Sequence, residues 1–222
     1  MIMLRRWRAS LEPLRARPDY GEHEDGNPFA RNASEKDGDG YGCLMAVCPD
    51  EINALIQECG NKIDIKDRLV DEDFTDEGIS DHAHVTLKYG IVDSPEKVVD
   101  WCGKNIHPFK FKTTGADVFK NEDKWVLVIR CADKSLKDIN EDVCKHIAHV
   151  DDDFGEYKPH ITICYMKPET DYQDVLKFCN DNVSGKEIAV SAVEYSDKDD
   201  NVQKIELKGQ KSDKDDFKEE ED

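Results

Sequence analysis

The tetrapeptide His84-Val85-Thr86-Leu87 recurs, 76 residues later, as His160-Ile161-Thr162-Ile163, and each copy is followed closely by a tyrosine (Tyr89, Tyr165). A β-strand sends successive side chains to opposite faces. Each tetrapeptide therefore reads as a strand with its histidine and threonine on one face and two apolar residues packed beneath. The surroundings of the two copies match as well. Residues 41–47 form an apolar strand candidate, and Pro49-Asp50 introduces a helix carrying Ile52, Leu55 and Ile56. After the first His-x-Thr strand, Ser94-Pro95-Glu96 opens a helix with Val98, Val99, Trp101 and Cys102, and a strand follows at about 108–118. The pattern then restarts with a strand from Trp125 to Cys131 and a helix over 134–149 with Leu136, Ile139, Val143 and Ile147. The second His-x-Thr strand, a helix around 169–182 and a strand at about 187–195 complete it, with a short strand at 203–208 closing the chain. Helical and two-residue periodicities support these assignments.

The order β-α-β-α-β, twice, with one motif per copy, restricts the fold to a duplicated unit. The expected class is α+β. It has two pseudo-symmetric lobes, each a small antiparallel sheet with helices on its outer face, around a central cleft. The repeat halves are about 41–119 and 120–208. Residues 1–40 read as an extension, first basic (Arg5, Arg6, Arg8, Arg15, Arg17) and then acidic and glycine-rich. Residues 209–222 read as an acidic tail unable to bury anything.

Charge and cysteine usage narrow the function. The net charge of −19 opposes binding to duplex nucleic acid, which needs broad basic patches. A small anionic ligand in a local pocket is compatible with it. No apolar run approaches the roughly 20 residues of a membrane span, so no integral membrane association is expected. The eight cysteines are scattered, with no Cys-x-x-Cys pair, as in a cytoplasmic protein with buried reduced thiols. No glycine-rich phosphate loop with Lys-Ser/Thr is present.

Two imidazoles and two hydroxyls in one cleft suit acid–base chemistry on a phosphate. Histidine, with a pKa near 6.5, serves as base or acid at neutral pH. Thr86 and Thr162 are expected to donate to the non-bridging phosphate oxygens, where charge builds in the transition state. The competing reading is a pair of strand histidines satisfied by core hydrogen bonds. Duplication in matching places favours the catalytic one, with His84, Thr86, His160 and Thr162 as the site.

Substrate-binding candidates surround this quartet. By alternation Lys88 shares the face of His84 and Thr86, where it would bring positive charge to the phosphate; the alternative is a solvated strand-end lysine. His82 shares that face and would line the entrance. Lys158 lies two residues before His160, with Pro159 between. Tyr41 and Trp125 are candidates to stack a base, whereas Tyr89 and Tyr165 have the parity of core-facing residues. Glu194 would orient a ribose hydroxyl or a histidine, or else face water from an edge strand. Arg130 belongs at the cleft or the strand's end. His146 and His149, at i and i+3 on the expected helix, have metal-ligand spacing but no third ligand. No metal and no cofactor are expected.

With these two motifs the chain resembles the 2H phosphoesterase superfamily over about residues 41–208. That resemblance implies a metal-independent phosphodiesterase acting on 2′,3′-cyclic phosphates, 2′-5′ linkages or related RNA-type diesters. The wording His84-Val-Thr-Leu-Lys-Tyr-Gly90 and Lys158-Pro-His-Ile-Thr-Ile-Cys-Tyr165 is similar to phage nucleases that degrade the cyclic oligonucleotide messengers of CBASS immunity. On that resemblance the partner is a cyclic oligonucleotide or small RNA-type diester, met in the cytoplasm of a host if the chain is phage-encoded. The alternatives are a 2′,3′-cyclic or 2′-5′ RNA-processing enzyme, and a non-catalytic nucleotide-binding module.

Overall fold

The computed structural model describes residues 40–70, 78–132, 134–150 and 156–209. The expectations for the basic N-terminal segment and the acidic tail lie outside these residues. The elements follow the order β1 (Gly42–Val47), α1 (Asp50–Gly60), β2 (His84–Ile91), α2 (Pro95–Asn105), β3 (Phe109–Lys120), β4 (Trp125–Cys131), α3 (Lys134–His146), β5 (His160–Met166), α4 (Gln173–Val183), β6 (Glu187–Val190), β7 (Ala192–Ser196) and β8 (Val202–Glu206). A 3-10 turn at Ile65–Asp67 precedes β2.

Local chemistry explains the helices. In α1, Ile52, Ile56, Cys59 and Gly60 recur at helical spacing and are all buried, with Asp50 and Glu51 in the first turn facing the positive end of the dipole. In α2, the Ser94 side chain accepts from the Lys97 amide and Pro95 occupies the first turn, two standard start signals. Val175, Cys179 and Val183 form the buried stripe of α4. No helix among the described residues is long and apolar enough to cross a membrane.

Two four-stranded antiparallel sheets result, in the orders β2-β1-β7-β8 and β5-β4-β3-β6. The α+β class and the paired sheets are as the sequence indicates, but the sheets are not the repeats. Each repeat gives its third strand away: β3 joins the second sheet and β7 the first. The helices cross over too. α1 packs on β5 and α4, whereas α3 packs on β2, so each sheet is covered partly by the other half's helix. What reads in the sequence as one strand over 187–195 is two, β6 and β7, in different sheets and separated by Ser191 alone. Periodicity cannot reveal this, because the apolar run Ile188 to Val193 is interrupted only by Ser191, too little to mark a strand end.

The two His-x-Thr strands occupy the edges of their sheets, and each edge is closed by the segment preceding the other motif. Ser80 N donates to Ile163 O and Leu69 N to Tyr165 O along β5, while Val92 N donates to Ala148 O and Val150 N to Gly90 O along β2. Gly90 makes the second closure feasible. It has φ +85°, and a Cβ there would lie 2.8 Å from Val150 Cγ2. Gly90→Ala is expected to lower stability by about 2 kcal/mol, combining left-handed strain with that contact. In a thermal melt this reads as a fall of roughly 4–8 °C; an unchanged midpoint would mean that the β2 edge is not held by Val150.

Candidate active site

Both motifs are built alike. His84 Nδ1 donates to the carbonyl oxygen of His82 at 2.9 Å, and His160 Nδ1 donates to that of Lys158 at 2.8 Å. A carbonyl can only accept, so both Nδ1 atoms carry hydrogen and each neutral ring keeps its lone pair on Nε2. His82 and Lys158 thus serve their histidines through the main chain. The carbonyls of Ala83 and Pro159, one residue nearer, accept from Cys48 N and Cys131 N, both at 3.0 Å, which ties each strand's entrance to its neighbour.

Across the sheets, Thr86 pairs with Met45 and Met45 with Glu194, while His160 pairs with Arg130 and Thr162 with Val128. Met45 and Val128 are fully buried yet lie outside the main hydrophobic cluster, which contains Leu44, Ala46, Leu127 and Ile129. Facing partners share a sheet face. The histidines and threonines therefore stand on the faces turned away from the helices, over a floor made by Met45 and Val128. The two edges meet here: β2 and β5 run close together, and the Tyr157 hydroxyl, three residues before His160, donates to Thr86 O at 2.9 Å.

Burial dominates the electrostatics. His84 is pulled down to about 4, first by loss of solvent, with the positive charges of His82 and His160 adding to the shift and the hydrogen bond to His82 opposing it. His160 is lowered as well, again chiefly by burial. That His84 responds to a charge on His160 places the two rings within one electrostatic neighbourhood. With both groups depressed, the free protein loses its imidazolium below pH 6.5. The kcat/KM profile is expected to fall on its alkaline side from below 6.5, whereas the kcat profile is displaced upward, because a bound phosphate anion favours the charged ring. A kcat/KM plateau reaching pH 7.5 would contradict the burial of these rings.

The remaining candidates separate. Lys88 does not share the face of Thr86. Both motif strands carry a β-bulge just after the threonine: the register runs from Thr86↔Met45 to Lys88↔Leu44, and from Thr162↔Val128 to Cys164↔Leu127. The extra residue reverses the parity beyond it. Lys88, 8% exposed, lies across from core-facing Leu44, and Tyr89 pairs with Cys43 while Tyr165 pairs with Val126. The two tyrosines thus move to the face of the histidines, contrary to their sequence parity. Asn140 of α3 binds the carbonyl freed at the first bulge, Leu87 O, at 2.6 Å, and Ser80 N binds its counterpart, Ile163 O, at 2.8 Å.

Glu194 sits on β7, an inner strand rather than an edge, with its carboxylate 3.9 Å from His82 Nε2 and the side chain 17% exposed. Tyr41 packs edge-on against Tyr89, ring centroids 6.1 Å apart. Trp125 is not brought to the histidines. It stands at the end of β4 remote from Arg130, between Tyr172 and Lys120. Arg130 is both near the strand's end and beside the cleft, across from His160 and ion-paired to Asp117. α3 stops at His146, so His149 is not on its face: His146 stacks on Trp101, and His149 is buried with Nδ1 bonded to Ile147 O. No cluster of metal-ligating side chains occurs among the described residues.

One neighbour of His160 had no signal in the sequence. Phe119 of β3 places its ring 5.0 Å from the imidazole, at 74° between planes. The strand exchange brings it there, and nothing in a single sequence announces that exchange. All eight cysteines are free thiols, and burial raises Cys43, Cys48, Cys102 and Cys164 to about 12, which leaves them unreactive.

A family model described as "2'-5' RNA ligase superfamily" matches residues 49–201. Among solved structures, Usb1 of Kluyveromyces marxianus with uridine monophosphate is similar at 11% identity and TM-score 0.47, over 76% of this chain and 99% of that one. LigT of E. coli is similar in its complex with phosphate (16% identity, TM-score 0.46, 77% and 95% coverage) and with NADP+ (18%, 0.46, 78% and 96%). No curated protein matches in sequence.

Proposed function

From its membership of the 2′-5′ RNA ligase superfamily, to which this chain belongs, we propose that it cleaves RNA-type phosphodiester bonds by paired histidine acid–base catalysis. The enzyme class is phosphodiesterase. The observation that supports the mechanism is the matched posture of His84 and His160: each is held through Nδ1 to a carbonyl, which puts the lone pair of the neutral ring on Nε2.

In the proposed step the 2′-hydroxyl next to the scissile bond attacks phosphorus while His84 Nε2 takes its proton. The P–O5′ bond breaks, and His160, protonated at Nε2, gives its proton to the departing 5′-oxygen. The products are a 2′,3′-cyclic phosphate and a 5′-hydroxyl, with charge and protons conserved. The assignment of His84 as base rests on the burial that pulls its pKa down to about 4 and keeps the ring neutral. Thr86 and Thr162 hydroxyls donate to the non-bridging oxygens. Two imidazoles supply both proton transfers, so the mechanism calls for no metal-bound hydroxide.

Within this chemistry the proposed substrates are cyclic oligonucleotide messengers, whose destruction would silence an immune alarm. The wording of residues 84–90 and 158–165 supports that choice. The test is incubation of the pure protein, with EDTA present, against cyclic di- and trinucleotides, 2′-5′ linked oligonucleotides and RNA ended by a 2′,3′-cyclic phosphate. Linearised cyclic nucleotides are the expected product. Turnover confined to the RNA ends would replace this substrate with the RNA-processing one, and dependence of all turnover on a divalent ion would remove the two-histidine mechanism.

A further inference from the structure

A histidine held only by its Nδ1 hydrogen bond is fixed at one point, and its plane can still tilt about that bond. At His160 a second contact removes this freedom. Phe119 reaches in from β3, where its backbone pairs with Val126, and its ring meets the imidazole edge-to-face. Centroids 5.0 Å apart at 74° fall within the favoured geometry of a T-shaped pair. Phe119 belongs to the first repeat and His160 to the second, so the contact exists only because β3 is exchanged into the second sheet.

We infer that Phe119 is a positioning residue for His160: its ring fixes the imidazole plane so that Nε2 is directed across the cleft toward the leaving oxygen. This rests on the proposed role of His160. Phe119 donates no proton and carries no charge; it selects one tilt among those that the Lys158 carbonyl permits and covers one side of the ring from water. The charged or titratable groups around that ring are His84 from β2, Arg130 of β4 with Asp117 of β3, and Lys158 on its own approach. None of them is altered by a change at 119.

The decisive comparison is Phe119→Leu, which keeps apolar volume without a ring, beside Phe119→Tyr, which keeps the ring. Phe119→Leu is expected to lower kcat roughly 3- to 10-fold with KM nearly unchanged, the size of one lost aromatic pair, and Phe119→Tyr to restore it. In a His160→Ala background Phe119→Leu is expected to cost nothing further, since the group it acts through is gone. NMR of the ring nitrogens supplies a readout free of substrate: the His160 pKa moves toward 6.5 in Phe119→Leu and stays put in Phe119→Tyr. A change confined to KM, or an equal loss in both backgrounds, overturns the inference and makes Phe119 a substrate contact. An unmoved His160 titration in Phe119→Leu overturns it too. If the ring nitrogens respond but no diester is cleaved by the wild type, the positioning stands and the catalytic reading fails.

Discussion

His84→Ala and His160→Ala are each expected to reduce kcat/KM on an RNA-type diester by about 10²–10⁴-fold, the range for loss of a positioned acid or base. Binding should survive, because the floor residues Met45 and Val128 and the two threonines are untouched by either change. The double substitution should cost little more than the worse single one, since a proton taken without a proton given does not complete the reaction. Stopped assays at saturating and subsaturating substrate, with ligand binding measured in parallel, check all three statements. A single variant within tenfold of wild type removes that histidine from the chemistry.

The second large effect distinguishes the two histidines. A ribonucleoside 3′-(p-nitrophenyl phosphate) has a leaving group that departs as a stable anion and needs no proton. On this substrate His160→Ala should recover most of its lost rate, coming to within about 10-fold of wild type, because the general acid has become unnecessary. His84→Ala should remain down by about 10²–10⁴-fold, as the 2′-hydroxyl must still lose its proton. The reverse pattern would exchange the roles. Equal recovery of both would mean that neither ring acts as a committed acid. The asymmetry originates chiefly in burial, which pulls His84 down to about 4, with the neighbouring histidines adding a smaller part.

The helices and the strand positions were legible because they depend on short-range spacing. Ile52, Ile56 and Cys59 announce α1 without knowledge of its partner, and His84-Val-Thr-Leu announces β2 in the same way. What escaped was everything that depends on which strands are neighbours. Alternation put Lys88 with Thr86 and set Tyr89 and Tyr165 toward the core, but a bulge is a property of two strands, and each motif strand holds an extra residue just after its threonine. Glu194 read as an edge residue because β8 is too short and polar to advertise that it covers β7. Phe119 was invisible because its meeting with His160 requires β3 to leave its own repeat.

The one-residue passage between β6 and β7 constrains how anything enters this molecule. Val190 ends a strand of one sheet, Ala192 begins a strand of the other, and between them the Ser191 carbonyl is engaged by the Leu207 amide at 2.8 Å. Such a link has little length to spare. A clamshell gape, with the sheets swinging apart to admit a polynucleotide, would have to be absorbed at Ser191 and would strain its bond to Leu207. Admission and egress fall instead to the side chains and loops at the rim, and a bulky strand must present its reactive diester as a protruding kink rather than expect the enzyme to unfold around it.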